Sequence, residues 1–365
     1  MSQRIIGFLG AGGIAKSHAF ALSSLKYYYA DAPDIIQEAV HSIREESRNT
    51  FARNFDFRTA VDLSSFLENR NINTIYILGP NNIHFTHLEA VMKMPEVDRI
   101  YLEKPVCSNL QEEEQMTHFV EMYAEKKIQI GFQMTQMAAI QKALQFWESQ
   151  DFGKTIHFNF TLKHGDYLKK AYREKRLTRL TLAPDGGAMA DLGSHAVSMA
   201  VAFVGEDLTI LNAIQGGAFP DVPAGSDLYS EISLYQKSTG AVGTISGSRV
   251  SSGTGDYFAF EIFAEKGAIK FTSQQPDCFE YYLEESGNWV KIFAGSNFQP
   301  ATSFPSEHVP GGWLRSLIHA HYVFLSDKPN TQFIPDLKHG LAVQRIVRET
   351  AEQLTYFRNK IDKLV

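Results

Sequence analysis

Three short stretches of the chain combine residue types that do chemistry. Gly10-Ala11-Gly12-Gly13-Ile14-Ala15 is a G-x-G-x-x-A run that follows an apolar strand-like segment and opens a helical one. There Gly10 permits a tight turn, Gly12 lets the backbone approach a pyrophosphate, and Ala15 allows close helix–strand packing, with Gly13 and Ile14 in the same cradle at the helix N-terminus. An ordinary flexible turn is the bland alternative. Asp191 and His195 stand four apart, so on a helix they share one face. An imidazole titrates near neutral pH and can remove a hydroxyl proton as hydride leaves carbon, while a carboxylate beside it can orient the ring or hold a substrate hydroxyl. Structural capping pairs have the same spacing. Lys104, in Glu103-Lys104-Pro105, closes another apolar run, where its ammonium can offset alkoxide charge or simply be a solvated strand end.

The elements that must hold these residues are clearest in the first third. Arg4–Leu9, Ile35–Ser42, Thr74–Leu78, Arg99–Leu102 and Ile128–Phe132 read as short apolar strands. Helices at Gly13–Leu25, Glu45–Asn54, Asp62–Asn69, His84–Met94 and Glu112–Lys126 alternate with them. That rhythm predicts an α/β fold with a doubly wound parallel sheet, a Rossmann dinucleotide-binding domain over residues 1–127. After residue 133 period-2 runs dominate, at Ile156–Leu162, Glu231–Tyr235, Ala241–Ser246, Phe258–Ala264 and Ala268–Thr272. With helices at Met137–Ser149, Met189–Val204 and Leu337–Asn359, they predict a second α+β domain over 128–365 with a large, mostly antiparallel open sheet. No linker separates the two, so the active site is expected in a crevice where the domains abut.

Composition bounds the function. At 365 residues the chain exceeds what one core usually organises, and 44% hydrophobic with 21% charged residues is globular. The net charge of −6 offers no broad positive field for nucleic acid or anionic lipid. Cys107 and Cys278 are too few for a disulfide framework and fit a reducing compartment. The glycine-rich start is too short for a signal sequence and no run approaches a membrane helix, so a cytoplasmic protein is expected. Asp191 and His195 without a third nearby ligand would coordinate zinc poorly, and no metal is expected.

Leu78-Gly79-Pro80-Asn81-Asn82-Ile83-His84, Glu103-Lys104-Pro105 and Gly186-Gly187-Ala188-Met189-Ala190-Asp191-Leu192-Gly193-Ser194-His195 follow the glycine turn in order. Together the four resemble the Gfo/Idh/MocA oxidoreductases, relatives of glucose-fructose oxidoreductase and inositol dehydrogenase, over the length of the chain. The resemblance implies that Lys104, Asp191 and His195 form the catalytic set and also touch substrate. It implies that Pro80, Asn81, His84 and Glu103 lie by the nicotinamide ribose, with Lys104 beside them; Asn81 could equally cap the following helix. Gln133, a further cofactor-binding candidate, enters the second domain in Gly131-Phe132-Gln133-Met134-Thr135-Gln136-Met137, which departs from the common G-Y-N-R-R-F and loses a charged side chain. The acidic residue expected after the second strand of NAD enzymes is absent. Ser42 stands there with Arg44 and Arg48 near enough to meet a 2′-phosphate, so NAD and NADP both stay open with a lean to NADP.

The implied activity is hydride transfer between nicotinamide and a secondary alcohol or ketone carbon of a sugar, glycoside or cyclitol. Lys163 and Tyr172 are further substrate candidates, and Trp313, at the end of Glu307–Trp313, could stack on a sugar or serve packing. The same fold also supports a redox-assisted glycosidase or lyase that recycles its cofactor, and a non-catalytic sugar or nucleotide sensor. The second-domain sheet implies a homodimer or homotetramer.

Overall fold

The computed structural model describes residues 3–180, 186–216, 219–222, 226–295, 312–328 and 330–361. The elements run β1 (Arg4–Leu9), α1 (Gly13–Tyr28), β2 (Ile35–His41), α2 (Glu45–Asn54), β3 (Thr59–Val61), α3 (Leu63–Leu67), β4 (Thr74–Ile77), α4 (His84–Met92), β5 (Arg99–Leu102), α5 (Leu110–Met122) and β6 (Lys127–Ile130). Then follow α6 (Ala138–Ser149), β7 (Thr155–Lys163), α7 (Lys170–Glu174), a π-helix (Met189–Gly193), α8 (Ser194–Val204), β8 (Leu208–Gly216), β9 (Tyr229–Gln236) and β10 (Val242–Ser248). β11 (Tyr257–Ala264), β12 (Gly267–Thr272), β13 (Cys278–Leu283), β14 (Asn288–Phe293), α9 (Gly312–Leu325) and α10 (Leu337–Ile361) complete the chain.

Contacts divide it into two compact units, Met1–Ala138 with Gly295–Leu341, and Ala139–Ala294 with Ala342–Val365. The sequence division at 127/128 differs for two reasons. β6 pairs with β5 inside the first unit, and α9 packs on α1 there.

The first unit is a parallel sheet of order β3-β2-β1-β4-β5-β6, the doubly wound arrangement in which ligands bind at the carboxyl ends of the strands where the order reverses. β4 and β5 are buried at every position, as strands covered on both faces must be. Phe8, Leu22, Leu25, Tyr76, Leu317, Ile318 and Phe324 join strands and helices in one core, each contributing about 1.5–3 kcal/mol. α9 reads poorly as a sequence because Arg315 to Leu325 are all buried, so it has no polar face to set a period. Two of its polar side chains meet Tyr29 inside the unit: Arg315 Nη1 donates to Tyr29 OH at 2.8 Å, and Tyr29 OH meets His319 Nδ1 at 2.6 Å.

The second unit is built on an eight-stranded sheet, β14-β13-β12-β11-β7-β10-β9-β8. Among the described residues only the β7–β10 pair of this sheet is parallel. Alternation sends Phe158, Phe160, Leu162, Phe258, Phe260 and Ile262 to one buried face. α8, buried at ten of its eleven positions, packs on β7, and Phe203 and Phe260 meet with ring centroids 4.7 Å apart. The opposite face carries polar pairs, Thr244 to Asn159 at 2.8 Å and Ser246 to Thr161 at 2.9 Å.

Burial holds several imidazoles of the first unit neutral. It pushes His87 and His339 down to about 4, His319 to about 3, and His321 well below its ordinary 6.5. An unfolded chain takes up these protons as pH falls below 6.5, whereas the native unit refuses them until near 4 or lower. Their contribution is therefore complete above pH 6.5 and is lost on acidification, by about 2 kcal/mol at pH 5 for each imidazole still neutral. Hydrogen exchange of the α9 amides, corrected for intrinsic rates, is expected to show this drop between pH 7 and pH 5; equal protection at both would contradict it.

Candidate functional site

Four turns of the first unit follow the carboxyl ends of its central strands. The turn after β1 is Gly10, whose φ of +131° and approach to the Leu78 backbone, 2.5 Å from an added Cβ, admit only glycine. At Gly12 and Gly13 an added Cβ meets nothing within 4 Å. Packing within the protein therefore explains the first glycine and not the other two. α1 starts at Gly13 without a side-chain cap or an acidic residue in its first turn, leaving its dipole to an anion, and Ile14 is half-buried behind it. A pyrophosphate fits this cradle.

Ser42 and Arg44 follow β2. Arg48 Nη1 donates to the Ser42 carbonyl at 3.2 Å, and Arg44 is exposed at the start of α2. After β4, Pro80 leads a single 3-10 turn, Asn81–Ile83, and the residue preceding α4 is Ile83, so the capping position is not Asn81's. His84 is fully buried, with Nδ1 2.7 Å from the Pro105 carbonyl and Nε2 3.0 Å from the Gly79 carbonyl. It ties the turn after β4 to the turn after β5. Both of its nitrogens face backbone carbonyl oxygens.

After β5, Glu103 is 7% exposed and Lys104 half-buried before a cis bond to Pro105. Glu103 Oε1 lies 2.9 Å from His18 Nε2. A Cβ on Gly131, at the end of β6, would stand 2.6 Å from that same oxygen. Gln133 is buried with its amide oriented so that the nitrogen donates to the Gly131 carbonyl at 2.6 Å and the oxygen accepts from Trp313 Nε1 at 2.9 Å. Trp313 thus braces Gln133, while residues 307–311 of its loop lie outside the described residues.

In the second unit Gly187 has φ +93° and no room for a Cβ, which would overlap the Asp227 carboxylate. Asp227 accepts from the backbone N–H groups of Ala188 at 2.8 Å and Met189 at 3.0 Å, capping the π-helix that carries Asp191. Burial pushes Asp227 up to about 6 against the pull of those N–H groups and of Arg249. The π-helix closes wider turns than an α-helix, so the spacing of Asp191 and His195 spans an irregular segment instead of one α-helical face. Asp191 Oδ2 accepts from Arg249 Nη2 at 2.9 Å, and Arg179 Nη1 lies 3.6 Å from Oδ1. Arg249 is 1% exposed, donates to the Arg179 carbonyl at 2.8 Å and lies over the Tyr167 ring at 4.7 Å. His195, 7% exposed, is the second residue of α8.

Lys163 lies over the Tyr257 ring at 4.8 Å, and Tyr172 is covered by the Arg176 guanidinium at 4.0 Å. The sequence reading missed Arg249, Asp227 and His18. Arg249 and Asp227 follow and precede strands with no motif around them; His18 sits on the apolar face of α1, where a fully buried histidine is itself a signal. No helix among the described residues is long and apolar enough to cross a membrane.

Comparison with known proteins identifies the family and the fold. The family model described as an oxidoreductase family with an NAD-binding Rossmann fold matches residues 5–132, and the GFO/IDH/MocA C-terminal domain matches 140–270. The chain is 24% identical over 307 residues to levoglucosan dehydrogenase of Pseudarthrobacter phenanthrenivorans, spanning 76% of this chain and 75% of that protein. It is 22% identical over 284 residues to glucose-6-phosphate 3-dehydrogenase of Bacillus subtilis, spanning 75% and 76%. An NAD-binding oxidoreductase from Klebsiella pneumoniae superposes with a TM-score of 0.83 at 20% identity, over 97% of this chain and 98% of that one. Levoglucosan dehydrogenase in complex with NADH and L-sorbose gives 0.81 at 20% identity over 98% of each chain. With both of its domains matched, the chain belongs to the Gfo/Idh/MocA family of oxidoreductases and carries that family's NAD-binding Rossmann fold.

Proposed function

We propose that the chain is a dehydrogenase that oxidises a secondary CH–OH of a sugar or sugar derivative, with Lys104, Asp191 and His195 as its catalytic set. The observation that carries this reading is the contrast within the glycine turn, where Gly10 is required by the fold but Gly12 and Gly13 face open space. The matched relatives, which act on levoglucosan and on glucose 6-phosphate, favour a sugar. NAD, when bound, accepts the hydride. The residues do the rest: His195 takes the hydroxyl proton, Lys104 offsets the alkoxide charge, and Asp191 holds a substrate hydroxyl while Arg249 fixes its carboxylate. Glu103 takes a ribose hydroxyl. NAD is preferred over NADP, because Arg48 is committed to the Ser42 carbonyl and Arg44 alone remains for a 2′-phosphate.

A homodimer accords with the outward face of the second unit's sheet. Register places Trp289, Tyr282, Ala268, Phe263, His157, Val242 and Tyr235 in one row across seven strands. Cross-strand partners point the same way, so this row is a continuous stripe, largely apolar, with Trp289 43% and Val242 50% exposed. Light scattering at micromolar protein is expected to give twice the 41.0 kDa chain mass or more; monomer alone would refute the dimer.

Replacing Gly12 by Ala should leave the melting temperature nearly unchanged and weaken NADH binding at least about tenfold, whereas Gly10→Ala should cost about 2 kcal/mol or more of stability. Normal NADH affinity in Gly12→Ala would remove the cradle. Lys104→Ala and His195→Ala are each expected to lower kcat by about 100-fold or more with NADH binding retained. A sugar and sugar-phosphate panel followed at the nicotinamide absorbance should yield one NADH per substrate oxidised, with NAD giving the higher kcat/KM. Product without NADH accumulation would instead indicate redox-assisted elimination, and near-normal turnover in both variants would reject the catalytic set.

A further inference from the structure

Beneath Glu103 the first unit buries a line of three polar side chains from three elements. His18 Nε2, from α1, lies 2.9 Å from Glu103 Oε1; His18 Nδ1 lies 2.9 Å from His321 Nε2, from α9; and His321 Nδ1 lies 3.1 Å from the Tyr76 hydroxyl, from β4. Tyr76, His18 and His321 are wholly buried. Around Tyr76 stand the rings of Phe8, Tyr101 and Phe324, with centroids 5.1, 5.2 and 5.7 Å away.

The direction of the three bonds follows from what each atom can do. Tyr76 has one hydrogen-bond partner among the described residues, His321 Nδ1. Its proton goes there, because no other acceptor among the described residues is within hydrogen-bond distance of it and a buried unmade donor costs about 1–3 kcal/mol. His321 Nδ1 is then the lone pair, so a neutral His321 carries its proton on Nε2 and donates to His18 Nδ1. His18 Nδ1 accepts, which leaves His18 Nε2 as the donor to Glu103 Oε1. Reversing any bond, by protonating Glu103 or charging His18, strands the Tyr76 proton. Burial, which keeps His321 neutral, agrees.

We propose that Tyr76, His321 and His18 form a one-way chain of donated hydrogen bonds that ends on Glu103, keeping its carboxylate aimed, and that His18 and His321 are positioning residues for dinucleotide binding. This rests on the reading that Glu103 takes a ribose hydroxyl. Gly131 supports it independently: with no Cβ there, the carboxylate occupies space that any side chain on β6 would claim. One oxygen is committed to His18, so the other is presented in a fixed plane to a hydroxyl donor such as a ribose.

The test is NADH titration by fluorescence on the full chain, with melting temperatures recorded alongside. His321→Phe cuts the chain and is expected to weaken NADH binding about tenfold. His321→Gln keeps a donor at the Nε2 position and should restore affinity to within about threefold of the parent. In an E103Q background His321→Phe should add less than about twofold, since the two act through one group. Nitrogen-15 spectra of histidine-labelled protein should show His321 protonated at Nε2 and His18 at Nε2, with Tyr76→Phe shifting the His321 Nδ1 resonance. An equal loss from His321→Phe in both backgrounds, no rescue by Gln, or the opposite tautomers would overturn the chain while leaving Glu103 as a ribose ligand. Unchanged NADH affinity in E103Q would overturn the ribose assignment and the proposal built on it.

Discussion

A parallel sheet sends the carboxyl ends of all its strands to one edge, and that constraint organises the first unit. Because β1, β4, β5 and β6 run the same way, the turns bearing Gly10, Pro80, Glu103 and Gln133 are neighbours by topology although more than 120 residues of chain separate the first from the last. The strand order reverses between β1 and β4, opening the crevice beside the glycine turn. Backbone contacts then lock the turns to one another: His84 bridges two of them through carbonyls, and Gln133 is fixed by the Gly131 carbonyl and Trp313. Catalytic precision on such an edge comes from polar groups that cannot rotate away, because each buried one has a single way to satisfy its bonds.

The second unit uses a different device. Its candidate catalytic segment is an irregular helix start, a π-turn capped by Asp227 and run close under β10, where a Cβ on Gly247 would stand 2.7 Å from the Ala188 carbonyl. A buried guanidinium with no carboxylate beside it would be prohibitively costly, so Arg249 and Asp191 need each other. The pairing fixes Asp191 more firmly than helix spacing alone could, at a cost in desolvation that the Tyr167 ring and the Arg179 carbonyl partly offset.

What the sequence reveals depends on whether the signal is local. Apolar runs disclose β1, β2, β4, β5 and β6 because buried parallel strands are continuous in type, and alternation discloses β7, β9, β10, β11 and β12. β3 is missed because Thr59–Val61 is too short to show a period, and β8 because its register shifts between Ile210 and Asn212. β14 is an edge strand and β13 its neighbour, and the faces of both are mixed, as in Cys278–Leu283. Motif residues such as Gly10, Lys104 and His195 are visible through order and spacing. His18, Glu103 and His321 are not visible as a set, since 303 residues separate the two histidines and only the packing of α9 on α1 joins them. For Arg249 no local pattern exists at all.

The central claim is that the carboxyl edge of the first unit's sheet holds the dinucleotide. Hydrogen exchange of the full chain with and without NADH tests it most directly. The account predicts added protection at the start of α1, across the Asn81–Ile83 turn and through residues 103–107 and 131–133, with the opposite edge around residues 69–73 and 96–99 unchanged. Protection confined to that opposite edge, or none at the glycine turn at saturating NADH, would contradict it.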